Sequence, residues 1–295
     1  MKLSTRFAEP GFMVTGEVGP VKGADASGAL AGAALMAPVV DAVNVTDSQS
    51  AVMRLGSIAV AHLLKQKGIE PVYQLTCRDR NRIALQSDLL SAAALGIDNV
   101  LCITGDHMVL GDHPEAKKVF DLDSVQLLTA ARGLNEGRDL AGHEVDPPSD
   151  LCLGAVVNPG SDDLEMQLIK MRKKIDAGAE FFQTQAVFEP DAFSRFMEKA
   201  SKLGVPVMVG IVPLKSAAMA RYMNDNIAGV SVPQPIIDRL GATKREDRKH
   251  VSIEIAADLV RKVKEICQGV HLMPLGWDDV VAPIVELAEL GVAHP

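Results

Sequence analysis

Four carboxylates stand directly behind short apolar runs in this chain: Glu17, Asp47, Asp79 and Asp106. Polar residues end the other runs: Thr46, Thr76 with Arg78, Thr104 with Gly105, Asn158, Gln183 with Gln185, and Lys215. Carboxyl groups gathered in one cleft repel each other, which keeps one of them protonated near neutral pH and turns it into a general acid. Glu17 is the strongest candidate, because Thr15-Gly16-Glu17-Val18-Gly19-Pro20 sets it between an apolar run and a Gly/Pro turn, with no obvious helix to cap. Asp47 and Asp79 have a plainer reading as caps of the helices that follow them. Thr104-Gly105-Asp106-His107 offers a glycine that lets backbone amides approach a ligand closely, with an acid beside it.

Other constellations carry less chemistry. His107 and His113 with Asp106 and Asp112 share no helix or strand face, so no metal site is expected. Neither a Gly-x-x-x-x-Gly-Lys-Ser/Thr loop nor a Gly-x-Gly-x-x-Gly turn follows a strand, and Gly28 and Gly32 fall in an Ala-rich helix start instead. Lys170, Arg172, Lys173 and Lys174 read as a solvated helix face, with Lys174, nearest the next strand, placed to reach a phosphate. The four cysteines, Cys77, Cys102, Cys152 and Cys267, form no Cys-x-x-Cys pair and read as buried reduced thiols.

The elements that must position these groups repeat. Apolar, β-rich runs cover residues 12–17, 42–47, 71–77, 99–105, 151–158, 179–185, 206–213 and 269–276. Their starts lie 27–30 residues apart, except for two gaps of 52 and 63. A strand, a helix and two loops need about that length. Helical periodicity fills the intervals: Val52, Leu55, Ala59, Leu63 and Lys67 mark one helix, and Leu164, Leu168, Met171 and Ile175 another, with Ser161 as its N-cap. Residues 251–267 and 278–290 read the same way. Eight near-continuous apolar strands alternating with amphipathic helices predict a closed (β/α)8 barrel of the TIM type, with an open doubly wound sheet as the alternative. The two long gaps predict insertions after the fourth strand, at 106–150, and after the seventh, at 214–250, both leaving from the carboxyl ends where barrel enzymes build their sites.

Composition agrees. Of 295 residues, 47% are hydrophobic and 23% charged, which excludes a disordered or fibrous chain. No compositional break divides residues 1–295, so one barrel domain is expected. A net charge of -8 argues against a nucleic-acid backbone as partner. No stretch approaches the ~20 apolar residues that span a bilayer, so no membrane association and a cytoplasmic location are expected.

Four segments together carry a resemblance that runs over nearly the whole chain. Thr15-Gly16-Glu17-Val18-Gly19-Pro20, Leu75-Thr76-Cys77-Arg78-Asp79, Thr104-Gly105-Asp106, and Lys174-Ile175-Asp176-Ala177-Gly178-Ala179 with Thr184-Gln185 resemble, in this order, motifs of the methylenetetrahydrofolate reductase family. The resemblance implies a flavin-bearing (β/α)8 barrel that passes a hydride from reduced flavin to 5,10-methylenetetrahydrofolate, giving 5-methyltetrahydrofolate, or runs in reverse. It implies FAD as cofactor, with FMN as the alternative, and a folate substrate. By position, Glu17 would be the general acid that opens the substrate's five-membered ring, Asp106 would bind the pterin beside the flavin, and Gln185 would orient the folate. Thr46, Gln74, Thr104, Gly105, Asp106, Asn158 and Lys174 would line the flavin, with Lys174 near its phosphates.

This chain also departs from the family pattern. Val18 and Gly19 stand where aromatic residues follow the acid, Thr104 replaces an arginine, the position expected to stack on the folate falls near Ala217, and aromatic residues make up only 4%. With few surfaces for a nicotinamide to stack on, the electron donor is expected to be a partner protein or ferredoxin, with NADH or NADPH as the alternative. Association into a homo- or hetero-oligomer is expected. Two competing readings are a pterin-binding barrel that hands a folate methyl group to a corrinoid protein, and a non-catalytic docking subunit.

Overall fold

The computed structural model describes residues 1–291. Eight parallel strands close on themselves in sequence order: β1 Met13–Val18, β2 Ala42–Val45, β3 Pro71–Thr76, β4 Asn99–Ile103, β5 Cys152–Val157, β6 Phe181–Ala186, β7 Val207–Ile211 and β8 Gly269–Leu272. Closure of β8 onto β1, with Met13 opposite Gly269, gives a barrel rather than the open sheet. Each of the eight apolar runs of the sequence supplies one strand.

The barrel helices pack outside this ring and bury one apolar face each. They are α2 Ser27–Met36, α3 Ser57–Gln66, α4 Arg82–Ala94, α5 Ser124–Asn135, α6 Leu164–Asp176, α7 Pro190–Ala200, α10 Arg248–Val263 and α11 Val281–Leu287. Some of their starts are fixed by short polar side chains that accept otherwise unpaired amides: Asn81 caps α4, and Asp123 with Gln126 forms a reciprocal capping box on α5. Two boundaries differ from the sequence reading. Asp163, not Ser161, caps α6 by accepting from the Met166 amide. Val52 and Leu55 precede α3, which starts only at Ser57.

The five-residue α1, Leu3–Phe7, plugs the amino end of the barrel, where Leu3 and Phe7 pack on Met13, Val72, Leu101 and Phe181. Between β7 and α10 the chain forms two further helices, α8 Ala217–Asn226 and α9 Gln234–Ala242. The excess after β4 does not lie wholly at the carboxyl end. It contains the barrel helix α5, so residues 104–123 crown the carboxyl end while 136–151 run back after the helix toward β5.

Alternation along the strands sorts the interior into layers. The lowest is apolar, from Met13 to Met208. Gly154 is needed in this region because a Cβ there would sit 2.2 Å from the ring of Phe181. Above it lies a polar layer of Thr15, Asn44, Gln183 and His271, all buried. Barrel centres are usually filled by branched aliphatics, so four hydrogen-bonding side chains here have a use other than packing. The four cysteines are free and buried, and burial pushes Cys152 up to about 11 and Cys77 and Cys267 up to about 12.

Candidate active site

The carboxyl ends of the strands enclose a cavity of about 400 Å³. Of the residues singled out in the sequence, Glu17, Thr46, Gln74, Thr104, Gly105, Asp106, Lys174 and Gln185 all line it. A second cavity of about 330 Å³ adjoins it and shares Glu17 and Gln49. Glu17 thus stands where the two meet.

Glu17 projects inward from β1 and is 7% exposed. Its Oε2 accepts from Gln74 Nε2 at 3.1 Å and lies 3.4 Å from His271 Nε2. The other ring nitrogen of His271 is 2.9 Å from the Thr15 hydroxyl. The polar layer therefore leads from the barrel centre up to the acid. His271 was missed by the sequence reading, although an inward polar residue inside the apolar run Val270-His271-Leu272 was a visible signal.

Two of the other three carboxylates, Asp47 and Asp79, are paired with arginines rather than held as free charges beside Glu17, which corrects the expectation of mutual repulsion for them. Asp47 accepts from the Thr76 amide and hydroxyl and forms an ion pair with Arg80 at 2.7 Å. Asp79 is paired with Arg78 at 2.7 Å. Each is neutralised by an arginine within four residues of it or of its strand partner, and neither caps a helix. Asp106, exposed at the rim, accepts from the Ser50 amide at 3.1 Å. Gly105 has φ +91°, and a Cβ there would press on Thr76 and Arg78, so the turn requires glycine.

That bond of Asp106 belongs to a strap across the mouth. Ser48, Ser50 and Ala51 all have positive φ, a conformation that is strained for residues with a side chain. Asp106 holds the strap at Ser50, Asp112 accepts from the Met53 amide at 3.0 Å, and Lys22 pairs with Asp112. Arg78 Nη2 donates to Ser48 O at 3.2 Å.

Lys174 differs from its neighbours on α6. Lys170, Arg172 and Lys173 are exposed, whereas Lys174 turns inward and donates to Val156 O at 2.6 Å. Burial, aided by repulsion from Lys170, pushes its amine down to about 8. Gln185 Oε1 accepts from the Ala186 amide at 3.0 Å. Two expected positions fall outside the cavity. Asn158 donates to Ala228 O at 2.9 Å and accepts from the Gly160 amide, which fastens the β5 loop to the loop between α8 and α9. Ala217 begins α8 and is buried in the core.

The lining suits a flat, hydrogen-bonding heteroaromatic with an anionic arm. Thr46 Oγ1 is buried without a protein partner, an orphaned group that a ligand would satisfy. Gln74, Thr76 and Gln185 offer both donors and acceptors, and Lys174 offers a positive charge that suits a phosphate. Among the described residues no Phe, Tyr or Trp lines the cavity. Among the described residues no cluster of three metal-ligating side chains occurs, and no helix is long and apolar enough to cross a membrane.

Comparisons with known proteins bear on the family and the fold. A family model described as methylenetetrahydrofolate reductase matches residues 2–289. Methylenetetrahydrofolate reductase 2 of Schizosaccharomyces pombe is 27% identical over 243 residues, 78% of this chain and 37% of that protein. The 5,10-methylenetetrahydrofolate reductase of Buchnera aphidicola is 22% identical over 78% of this chain and 75% of its own. The chain spans about a third of the length of the fission-yeast relatives it matches. Among solved structures, an uncharacterized protein from Clostridium thermocellum that binds two copies of 5-methyl-5,6,7,8-tetrahydrofolic acid superposes with a TM-score of 0.65 at 17% identity, covering 97% of this chain and 99% of that one. At that identity the likeness shows the shared fold.

Proposed function

The chain belongs to the methylenetetrahydrofolate reductase family, and on that footing we propose that its mouth cavity binds a flavin and reduces 5,10-methylenetetrahydrofolate to 5-methyltetrahydrofolate. The observation that carries this reading is the placement of Glu17: buried, at the junction of two cavities, with one carboxyl oxygen held by donors and the other free of them.

The residues present fit a flavin. Thr46 Oγ1 and Gln74 would hold its ring edge, and Lys174 would meet the phosphate arm, for which FAD is the reading we favour. When bound, reduced flavin supplies the hydride. The protein's part is positioning and proton delivery. In the substrate a methylene carbon bridges N5 and N10, and in the product it remains on N5 as a methyl group. Breaking its bond to N10 therefore needs a proton at N10, and Glu17 is the group placed to donate it. The electron pair of that bond stays on N10, the carbon becomes an iminium on N5, and a hydride completes the methyl group. Gln185 and Asp106 would orient the pterin, Asp106 through the oxygen that Ser50 leaves free.

We further read the electron donor as a protein. Among the described residues no Phe, Tyr or Trp lines the cavity and its one aromatic ring is the buried imidazole of His271, which leaves a nicotinamide little of the protein to stack on, while Met53, Val109 and Leu110 stand exposed on the loops that rim the mouth. Reduction of the bound flavin by NADH or NADPH alone at the turnover rate would overturn this part.

Glu17→Gln tests the central claim. It should abolish methylenetetrahydrofolate reduction and leave dithionite reduction of the bound flavin unchanged. Survival of folate reduction near the wild-type rate would remove Glu17 as the acid, and release of a compound other than a flavin on denaturation would remove the cofactor.

A further inference from the structure

We propose that His271 is the positioning residue of Glu17, locked as the tautomer that carries its proton on Nε2, and that this lock assigns the transferable proton of Glu17 to Oε1.

The hydrogen bonds around Thr15 and Glu17 orient the His271 ring. Gln183 Nε2 approaches the Thr15 hydroxyl at 3.4 Å and can only donate, so the hydroxyl oxygen accepts there. Gln183 is itself fixed, because its amide exchanges two bonds with Asn44, Nδ2 of Asn44 donating to Oε1 and Nε2 of Gln183 donating to Oδ1. The single Thr15 hydrogen is free for His271 Nδ1 at 2.9 Å, and the converse arrangement, Nδ1–H donating to the hydroxyl's second lone pair, would leave a bare Nε2 facing the lone pairs of the Glu17 carboxylate. A neutral imidazole nitrogen that accepts is bare, so the ring proton sits on Nε2, directed at Glu17 Oε2.

Gln74 Nε2 also donates to Oε2. An oxygen already receiving two donors is a poor place for a third hydrogen. Among the described residues none donates to Oε1, so a protonated Glu17 carries its hydrogen there. The charged groups lining the same cavity are committed elsewhere: Asp47 to Arg80, Arg78 to Asp79, Asp106 to Ser50, and Lys174 to Val156 O. Asp278 and Arg54 line only the adjoining cavity, Arg54 donating to Pro20 O. His271 is thus the titratable side chain within reach of Glu17, and it acts through Glu17 rather than on substrate.

The tautomer stands without the general-acid reading, since it follows from the contacts of Thr15, Gln183 and Glu17. Long-range proton–nitrogen NMR of the side-chain imidazoles in the full chain at pH 7, with the His271 signals assigned by their loss in His271→Gln, should show a protonated Nε2 and a bare Nδ1. A His271 with its proton on Nδ1 or with both nitrogens protonated would overturn the proposal. In turnover, His271→Leu should lower kcat of the folate step about 100-fold with KM and flavin reduction little changed, and His271→Gln, which restores a donor, should recover most of it. Equal activity of the two variants would also overturn it. An active Glu17→Gln with the tautomer as stated would instead fail the functional reading alone.

Discussion

Asn44 on β2 and Gln183 on β6 face each other across the barrel axis and exchange two amide hydrogen bonds, of 2.8 and 3.2 Å. Both are fully or nearly fully buried, so this reciprocal pair spends no free energy on an unsatisfied amide. Removing one member strands the other. Asn44→Leu should lower unfolding stability by about 2–4 kcal/mol in urea titration. The double replacement Asn44→Leu/Gln183→Leu should cost less than the sum of the single changes, and an additive result would show that the amides do not bond across the axis.

A second test concerns packing one layer below. At Gly154 an added Cβ would lie 2.2 Å from Phe181, whose ring is fully buried and contributes to the amino-end plug. Gly154→Ala should therefore destabilise the barrel by about 1–3 kcal/mol through overpacking. Phe181→Leu in the same chain should recover part of that loss, as read by the shift in Tm of the double variant against each single one.

Most of the fold was legible because its signals are local. Eight apolar runs at a near-constant spacing need only strand period and chain length to read, and each became a strand. What was not legible depended on which way the chain turns at an element's end. The excess after β4 read as one insertion at the carboxyl end, yet the capping box at Asp123 starts the barrel helix inside it and sends residues 136–151 to the other end. Within the site, Glu17 was readable because a carboxylate before a Gly/Pro turn has no helix to cap. His271 was not, since its value comes from Thr15 and Glu17, more than 250 positions away in sequence. The place of Asn158 outside the cavity was not legible for a similar reason, its amide donating to a loop 70 residues on.

The strap over the mouth gives a prediction about motion. It holds three residues at positive φ, and the contacts that offset that strain include the Asp112 carboxylate on the Met53 amide. Asp112→Ala should free residues 48–56, detected as faster proteolytic cleavage and faster amide exchange confined to that segment. Asp121→Ala, which removes the partner of Arg82 at the start of α4, should leave that segment's exchange unchanged.

Lys174 predicts how stability depends on pH. Its amine is held near 8 in the folded chain by burial and by Lys170, against 10.5 for a free lysine. Below pH 8 both states carry the proton, and the folded state bears the full cost of a buried charge. Between pH 8 and 10.5 the folded chain has released the proton while the unfolded chain keeps it. The unfolded state then binds more protons, so this residue's contribution makes stability rise with pH across that window. The difference of about 2.5 units corresponds to about 3 kcal/mol. Lys174→Met should therefore unfold at a higher urea midpoint than the parent at pH 7, with the gap closing as pH approaches 10.5. A gap that stays constant from pH 7 to 10.5 would mean that Lys174 is not desolvated as its position on α6 requires. The opposite sign applies to a bound phosphate, which favours the charged amine: flavin affinity should fall by about tenfold per pH unit above 8 in the parent and lose that dependence in Lys174→Met.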